Sequence, residues 1–225
     1  MPPESQPKSV PAQATGSAPG ASSPPWDERY ATPGEAFGEA PNDFLHQQEP
    51  LLRQRLGGGP ARALCLGEGE GRNAVWLAGL GYDVTAVDLS RVGLANAHRL
   101  AARHGVLLTT VQADLATYEL GESQWDLIVS IWCHLPPPLR QRVHGAVLQA
   151  LRPGGLLVYV AYTPGQPARG TGGPGNPELC PSAAELRQDF AGLVWLVERD
   201  HVREIHEGRY HNGLSEVAEL VGRRP

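Results

Sequence analysis

The sequence predicts an α/β fold: a doubly wound, mostly parallel sheet with an antiparallel C-terminal strand pair and helices on both faces. Three observations predict it. Short apolar runs alternate with amphipathic runs of helical length from Ala61 to Ala191. Leu127-Ile128-Val129 is continuously apolar, as in a parallel strand covered on both faces. Val194–His206 and Leu214–Arg223 are longer runs separated by the turn Glu207–Gly213, which suggests two neighbouring antiparallel strands.

Each element has its local reason. Asn42 or Asp43 caps a helix that runs to about Arg55 and ends at Gly57-Gly58-Gly59-Pro60. The first strand is Ala61–Leu66; a helix from about Arg72 to Leu80 is stopped by Gly81. The second strand is Asp83–Asp88. Ser90 caps the next helix, with Leu94, Ala97, His98 and Ala101 on one face and Gly105 at its end. Strands follow at Leu107–Ala113 and Trp125–Ile131. Leu139, Val143, Val147 and Leu151 are in helical register, and Pro153-Gly154-Gly155 breaks that helix. The fifth strand is Gly155–Ala161, and a helix covers about Ser182–Ala191. Thr163–Cys180, with Gly170-Thr171-Gly172-Gly173-Pro174-Gly175 inside it, is long for a connection without structure of its own; it reads as a substrate lid with Tyr162 at its base.

Composition narrows the classes. Met1–Pro25, rich in Pro, Ser and Ala, is expected to be a disordered tail, and residues 26–225 one domain. A net charge of -5 argues against a nucleic-acid backbone as partner. The absence of a long apolar run argues against a membrane span, and residues 1–25 lack the regions of a secretory signal. Cys65, Cys133 and Cys180 fit free thiols in a reducing, cytoplasmic setting. His201, His206 and His211, with Glu204 and Glu207, lack the H-E-x-x-H spacing, so no metal is expected.

The chemistry concentrates in Gly67-Glu68-Gly69-Glu70-Gly71, which follows an apolar strand and opens a helix, with Asp88 ending the next strand. That is the arrangement of a nucleotide-type cofactor site, where glycine backbone approaches the ligand and the acid accepts ribose hydroxyls. Arg72 stands where G-x-G-x-x-G needs its third glycine, and Lys8 is the only lysine, so dinucleotide and P-loop patterns are both missing. Glu68 and Glu70 would repel phosphates and suit a cation. In a doubly wound sheet the ligand lies at the carboxyl ends of the strands. The site loops are therefore Gly67–Gly71, Asp88–Leu89, Ala113–Leu115 and Ser130–His134.

The G-x-G-x-G loop resembles motif I of the class I S-adenosylmethionine (SAM) dependent methyltransferases, a Rossmann-like fold. A wider resemblance, to the tellurite-resistance methyltransferases and more distantly to the thiopurine methyltransferases, covers nearly all of Trp26–Pro225. It is carried by Trp26-Asp27-x-Arg29-Tyr30, Pro41-Asn42-Asp43-Phe44-Leu45, Gly69-Glu70-Gly71-Arg72-Asn73-Ala74, Asp126-Leu127-Ile128 and Arg152-Pro153-Gly154-Gly155. The resemblance implies SAM as cofactor and S-adenosylhomocysteine as product. It implies an amino-terminal segment (26–56) that covers the cofactor through Arg29, Asn42 and Phe44. It also implies cofactor contacts at Gly67, Glu68, Gly69, Asn73, Asp88, Leu89, Ala113, Asp114, Leu115 and Ser130, with Asp114 accepting from the adenine amino group. Tyr30, Tyr162 and Arg209 are the candidate substrate contacts, Arg209 standing in for an arginine that Glu207 replaces. His134 and His206 are the candidate general bases. Cys65 stands where such enzymes carry the acid that anchors the methionine end, which leaves that anchor to backbone carbonyls or Glu68.

The expected function is methyl transfer to a small-molecule acceptor, such as a thiol or a selenium or tellurium species, by a monomer or homodimer. A SAM-binding sensor or interaction protein without catalysis is the alternative. A third reading, a nicotinamide-dependent oxidoreductase, is opposed by Arg72 and the two loop glutamates.

Overall fold

The computed structural model describes residues 25–32, 36–57 and 60–225. The expected tail of residues 1–25 lies outside them apart from Pro25, which opens the first helix. One seven-stranded sheet has the order β3-β2-β1-β4-β5-β7-β6. The strands are β1 (Arg62–Leu66), β2 (Asp83–Asp88), β3 (Thr109–Gln112), β4 (Trp125–Ile131), β5 (Leu151–Tyr162), β6 (Val194–Glu207) and β7 (His211–Arg223). β1 to β5 pair in parallel, while β7 runs antiparallel to both β5 and β6. The expected doubly wound sheet with an antiparallel carboxyl-terminal pair is the observed one.

The period of two along the strands builds two cores. Leu64, Leu66 and Ile128 face one side, with Val143 and Val147 of α6 (Pro137–Ala150) and Leu186 of α7 (Ala183–Asp189). Ala63, Cys65, Leu127 and Val129 face the other, with Leu52 of α3 (Glu49–Leu56) and Ala74 and Leu77 of α4 (Arg72–Gly79). Each fully buried leucine contributes about 1.5–3 kcal/mol. α5 (Arg91–His104) packs beside α4, and Gly71 allows the approach: it caps α4 at φ 86°, and a Cβ there would sit 2.5 Å from that of Ala97. Ser90 caps α5 by accepting from Gly93 N, as expected, but His98 is exposed and Leu100 takes the buried place.

Several boundaries differ from expectation. The helix expected over residues 43–55 is two helices, α2 (Asp43–Gln47) and α3, because Pro50 lacks the N–H that a continuous helix needs. Before them, Pro25–Ala31 forms α1, which packs on α5. β5 begins at Leu151, through the Pro153-Gly154-Gly155 segment, so the turn and the strand overlap. The β6–β7 connection shrinks to Gly208–Tyr210, with pairing extended to Glu207 and His211. The long 163–180 connection carries two 3-10 turns, Gln166–Arg169 and Pro177–Leu179.

Candidate functional site

The carboxyl ends of β1, β2, β3 and β4 open on one cavity of about 760 Å³. That lies within the several-hundred-Å³ range of small-molecule sites. Its floor is the glycine loop. Gly67 has φ 61° and passes so close to Cys133 that a Cβ would stand 2.8 Å from the Cys133 Sγ. Gly69 (φ 59°) sits under the Tyr30 ring, whose hydroxyl would lie 2.4 Å from an added Cβ. Only glycine admits both the left-handed backbone and these contacts.

The loop acids divide the work. Asp88 Oδ2 accepts from Gly69 N at 2.8 Å and Oδ1 from Ser90 N at 2.7 Å. Each oxygen keeps a further lone pair, so the carboxylate that holds the loop also has acceptors for two ribose hydroxyls. Burial raises its pKa, opposed by those backbone donors. Glu70 is half-buried and committed on both oxygens: Oε2 accepts from Ala36 N at 2.7 Å and Oε1 from the Asn96 amide at 2.8 Å, clasping the amino-terminal segment to α5. Glu68 Oε1 accepts from Ala74 N at 2.8 Å, in the first turn of α4. Asp114 uses Oδ1 on Ala116 N at 2.8 Å in a turn, with Oδ2 left for a ligand amino group. A deep glycine floor, a two-oxygen acceptor for a ribose and a set of carboxylates fit the adenosine and cationic ends of SAM, and they oppose a pyrophosphate.

The far wall is built on Trp132, which has φ 58°, a costly conformation for a bulky residue. Its Nε1 donates to Glu207 Oε2 at 2.7 Å, and its ring stacks on Tyr162 with centroids 4.3 Å apart. Glu207 is 4% exposed and also accepts from Arg72 Nη2 at 2.5 Å and from the Asn42 amide at 2.7 Å. Burial alone would raise its pKa, but contacts with His211, Arg72 and Trp132 outweigh that and hold it at about 2. His211 lies against Trp132 and Phe37, its Nδ1 4.0 Å from Glu207 Oε2 and without a hydrogen bond. Burial lowers its pKa, with Glu207 opposing. Arg29 is sandwiched between Trp26 at 4.8 Å and Tyr210 at 4.7 Å.

Of the residues expected from sequence, Arg29, Tyr30, Gly67, Glu68, Asn73, Asp88, Leu89, Ala113, Asp114, Leu115 and Arg209 line the cavity. Others stand elsewhere. Phe44 is 1% exposed in the core, under Arg199, because its helix buries an apolar face. Asn42 is fully buried and committed: Oδ1 caps α2, its N donates to Asn73 Oδ1, and its amide donates to Glu207. Ser130 is buried at the end of β4, and Gly69 is covered by Tyr30; neither lines the cavity. Tyr162 lies behind Trp132, against Gly172 and Gly173. His206 has a side chain 70% exposed beside Glu204, on strand β6 away from the cavity.

His134 does line the cavity, but both of its nitrogens are used. Nδ1 lies 3.1 Å from Trp132 O, and Nε2 accepts from Tyr162 N at 3.1 Å. Burial lowers its pKa to about 4. A histidine whose basic lone pair holds a backbone N–H is a structural element, not a proton acceptor for a substrate. Trp132 lay within the expected loop Ser130–His134 and His211 within a set rejected as a metal site, but their convergence with Phe37 depends on strand pairing far along the chain and was not read from sequence. Among the described residues no group of three His, Cys, Asp or Glu side chains is arranged to hold a metal, and no helix is long and apolar enough to cross a membrane.

A family profile described as "Methyltransferase domain" matches residues 63–155, the segment that contains the glycine loop, Asp88 and Asp114. That segment, under half of the chain, is similar to a methyltransferase domain. A malonyl-[acyl-carrier protein] O-methyltransferase of Salmonella typhimurium is 28% identical over 137 residues, 58% of this chain and 53% of that protein. The chain thus spans about half the length of that relative. A solved structure titled for the conversion of a disulfide bond into a thioacetal group during echinomycin biosynthesis superposes with a TM-score of 0.68 at 20% identity. That match covers 87% of this chain and 86% of the other. TehB from Haemophilus influenzae gives 0.63 at 19% identity, over 81% and 62%. At these identities the structural matches speak for the fold.

Proposed function

We propose that this chain moves the methyl group of SAM to a small-molecule acceptor seated against Trp132 and His211. The observation that carries the reading is the convergence of the glycine loop, Asp88 and Asp114 on one cavity whose far end is aromatic. When bound, the cofactor supplies an electrophilic methyl group on a sulfonium. The chain supplies position and dryness: Asp88 receives the ribose, Asp114 and Leu115 the adenine end. Tyr30, Phe37 and Trp26 cover the cavity from the amino-terminal segment, and Gly170–Gly175 covers it from above. Holding two reactants in line accounts for a large share of such a rate enhancement.

The acceptor we infer is a thiol or a selenium or tellurium species. His134 is spent on the backbone and His206 lies outside, so a nucleophile that arrives as an anion, needing no base, suits the site. Titration calorimetry with SAM, S-adenosylhomocysteine and NADH tests the first claim: micromolar binding of the first two and none of NADH is expected, and absence of SAM binding overturns it. Transfer of labelled methyl to dithiothreitol or hydrogen selenide in preference to catechol is expected for the second. The opposite preference would move the nucleophile to oxygen and make His211 its base.

A further inference from the structure

We infer that Glu68 supplies the anionic anchor for the amino-acid end of the cofactor, in place of an acid at Cys65 on the strand beneath it. The inference rests on the SAM-binding reading above.

Elimination among the carboxylates that line the cavity or lie behind its wall leads there. Glu70 is committed on both oxygens to Ala36 N and Asn96. Asp88 is committed to the loop backbone and faces the ribose position. Asp114 follows β3, two strands away from β1 in the sheet. Glu207 is buried and neutralised by Arg72. Glu68 is the carboxylate that lines the cavity directly after β1: Oε1 accepts from Ala74 N at 2.8 Å and the Asn73 backbone N–H also donates to the carboxylate, whose acceptor capacity of about four lone pairs leaves room for a cation.

The local sequence explains why an acid fits here. Cys65 is a small, fully buried residue whose thiol reaches the Glu68 carboxylate from below. A larger residue at Cys65 would fill that space. The first turn of α4 supplies the Ala74 N–H and the positive end of a helix dipole. The carboxylate is therefore fixed in orientation before any ligand arrives.

The groups facing it are Cys65 from β1, Arg72, Asn73 and Ala74 from α4, Asp88 from β2 and Tyr30 from α1. Burial pushes the Glu68 pKa up to about 7, with the backbone donor at Ala74 and the charge of Arg72 opposing it. An ammonium placed against it would lower that value again. Binding near neutral pH should then release a proton, and affinity should rise with pH through about 7.

Three ligands separate the possibilities: SAM, S-adenosylhomocysteine, and 5′-methylthioadenosine, which keeps the adenosine and the thioether but lacks the amino-acid end. Calorimetry of the full chain is run in phosphate and in Tris at pH 6, 7 and 8. Wild type should release a fraction of a proton on binding SAM or S-adenosylhomocysteine, and none with 5′-methylthioadenosine. Glu68→Gln, which keeps an oxygen for Ala74 N, should weaken SAM and S-adenosylhomocysteine roughly ten- to hundredfold, the scale of a lost hydrogen bond to a charged group. It should abolish the proton release and leave 5′-methylthioadenosine unchanged. An equal loss for all three ligands would make Glu68 a loop-shaping residue and overturn the inference, as would wild-type binding without proton release. Failure of wild type to bind SAM or S-adenosylhomocysteine would instead overturn the methyltransferase reading itself.

Discussion

Trp132 Nε1 donates to Glu207 Oε2 across 2.7 Å, joining the tip of β4 to the end of β6 behind the aromatic wall of the cavity. The same carboxylate holds Arg72 at the start of α4 and Asn42 ahead of α2. One buried charge thus ties four segments together and offsets the backbone strain at Trp132. Trp132→Phe keeps the stack on Tyr162 but leaves Glu207 one donor short, and should cost about 1–3 kcal/mol in urea unfolding. Glu207→Ala strands the Arg72 guanidinium in the interior and should cost about 3–5 kcal/mol. Equal small losses from both would mean that water reaches the cluster.

Asp88 holds the loop, and we propose that it also takes the ribose. Its two oxygens hold Gly69 N and Ser90 N, and their remaining lone pairs face the ribose position. Asp88→Ala should weaken SAM binding by about 1–3 kcal/mol. Since the ribose is common to every adenosine ligand, 5′-methylthioadenosine should lose the same amount. A loss confined to SAM would place the Asp88 contact at the amino-acid end instead.

What the sequence made legible followed from local rules. The apolar run through Ala63-Leu64-Cys65-Leu66 predicted the first strand, and the glycine loop with Asp88 predicted the cofactor end of the site. Asn42 was legible as a cap, and it does cap α2. Its second bond, to Glu207, spans 165 residues of sequence, and no local pattern encodes that. The aromatic wall was illegible for the same reason: Trp132, Phe37 and His211 meet only after β7 has crossed beside β5. His134 looked like a base because a loop histidine after β4 satisfies every sequence criterion. Only the Tyr162 N–H on its Nε2 shows that its lone pair is spent.

Acid should destabilise the fold through its neutral histidines. His134, His144 and His211 all have pKa values lowered by burial, His134 to about 4. A folded value below the unfolded value of about 6.5 means stability present above pH 6.5 that is lost as pH falls toward 4. For His134 that window lies between about 4 and 6.5, and the contribution there is up to about 1.4 kcal/mol per pH unit. His134→Gln places an uncharged acceptor near Tyr162 N. Urea unfolding at pH 7.5, 5.5 and 4.5 should show a smaller loss for this variant than for wild type. Parallel losses would mean that His134 is protonated in the native state.

Glu68 titrates in the opposite sense. Its folded pKa of about 7 lies above the ordinary value of 4.5 because burial penalises the charge. It therefore favours folding below about pH 4.5, and that contribution is lost as pH rises through 7. At pH 8 the ligand-free protein carries a buried carboxylate that no cation neutralises in full. Glu68→Gln removes the charge and keeps the acceptor for Ala74 N. The variant should therefore be more stable than wild type by about 1–3 kcal/mol at pH 8 and nearly equal to it at pH 5. Saturating SAM should narrow or reverse the gap at pH 8, because the cation satisfies in wild type what the mutation deletes. A variant less stable than wild type at both pH values would show that the loop needs the carboxylate for its own geometry, with or without a ligand.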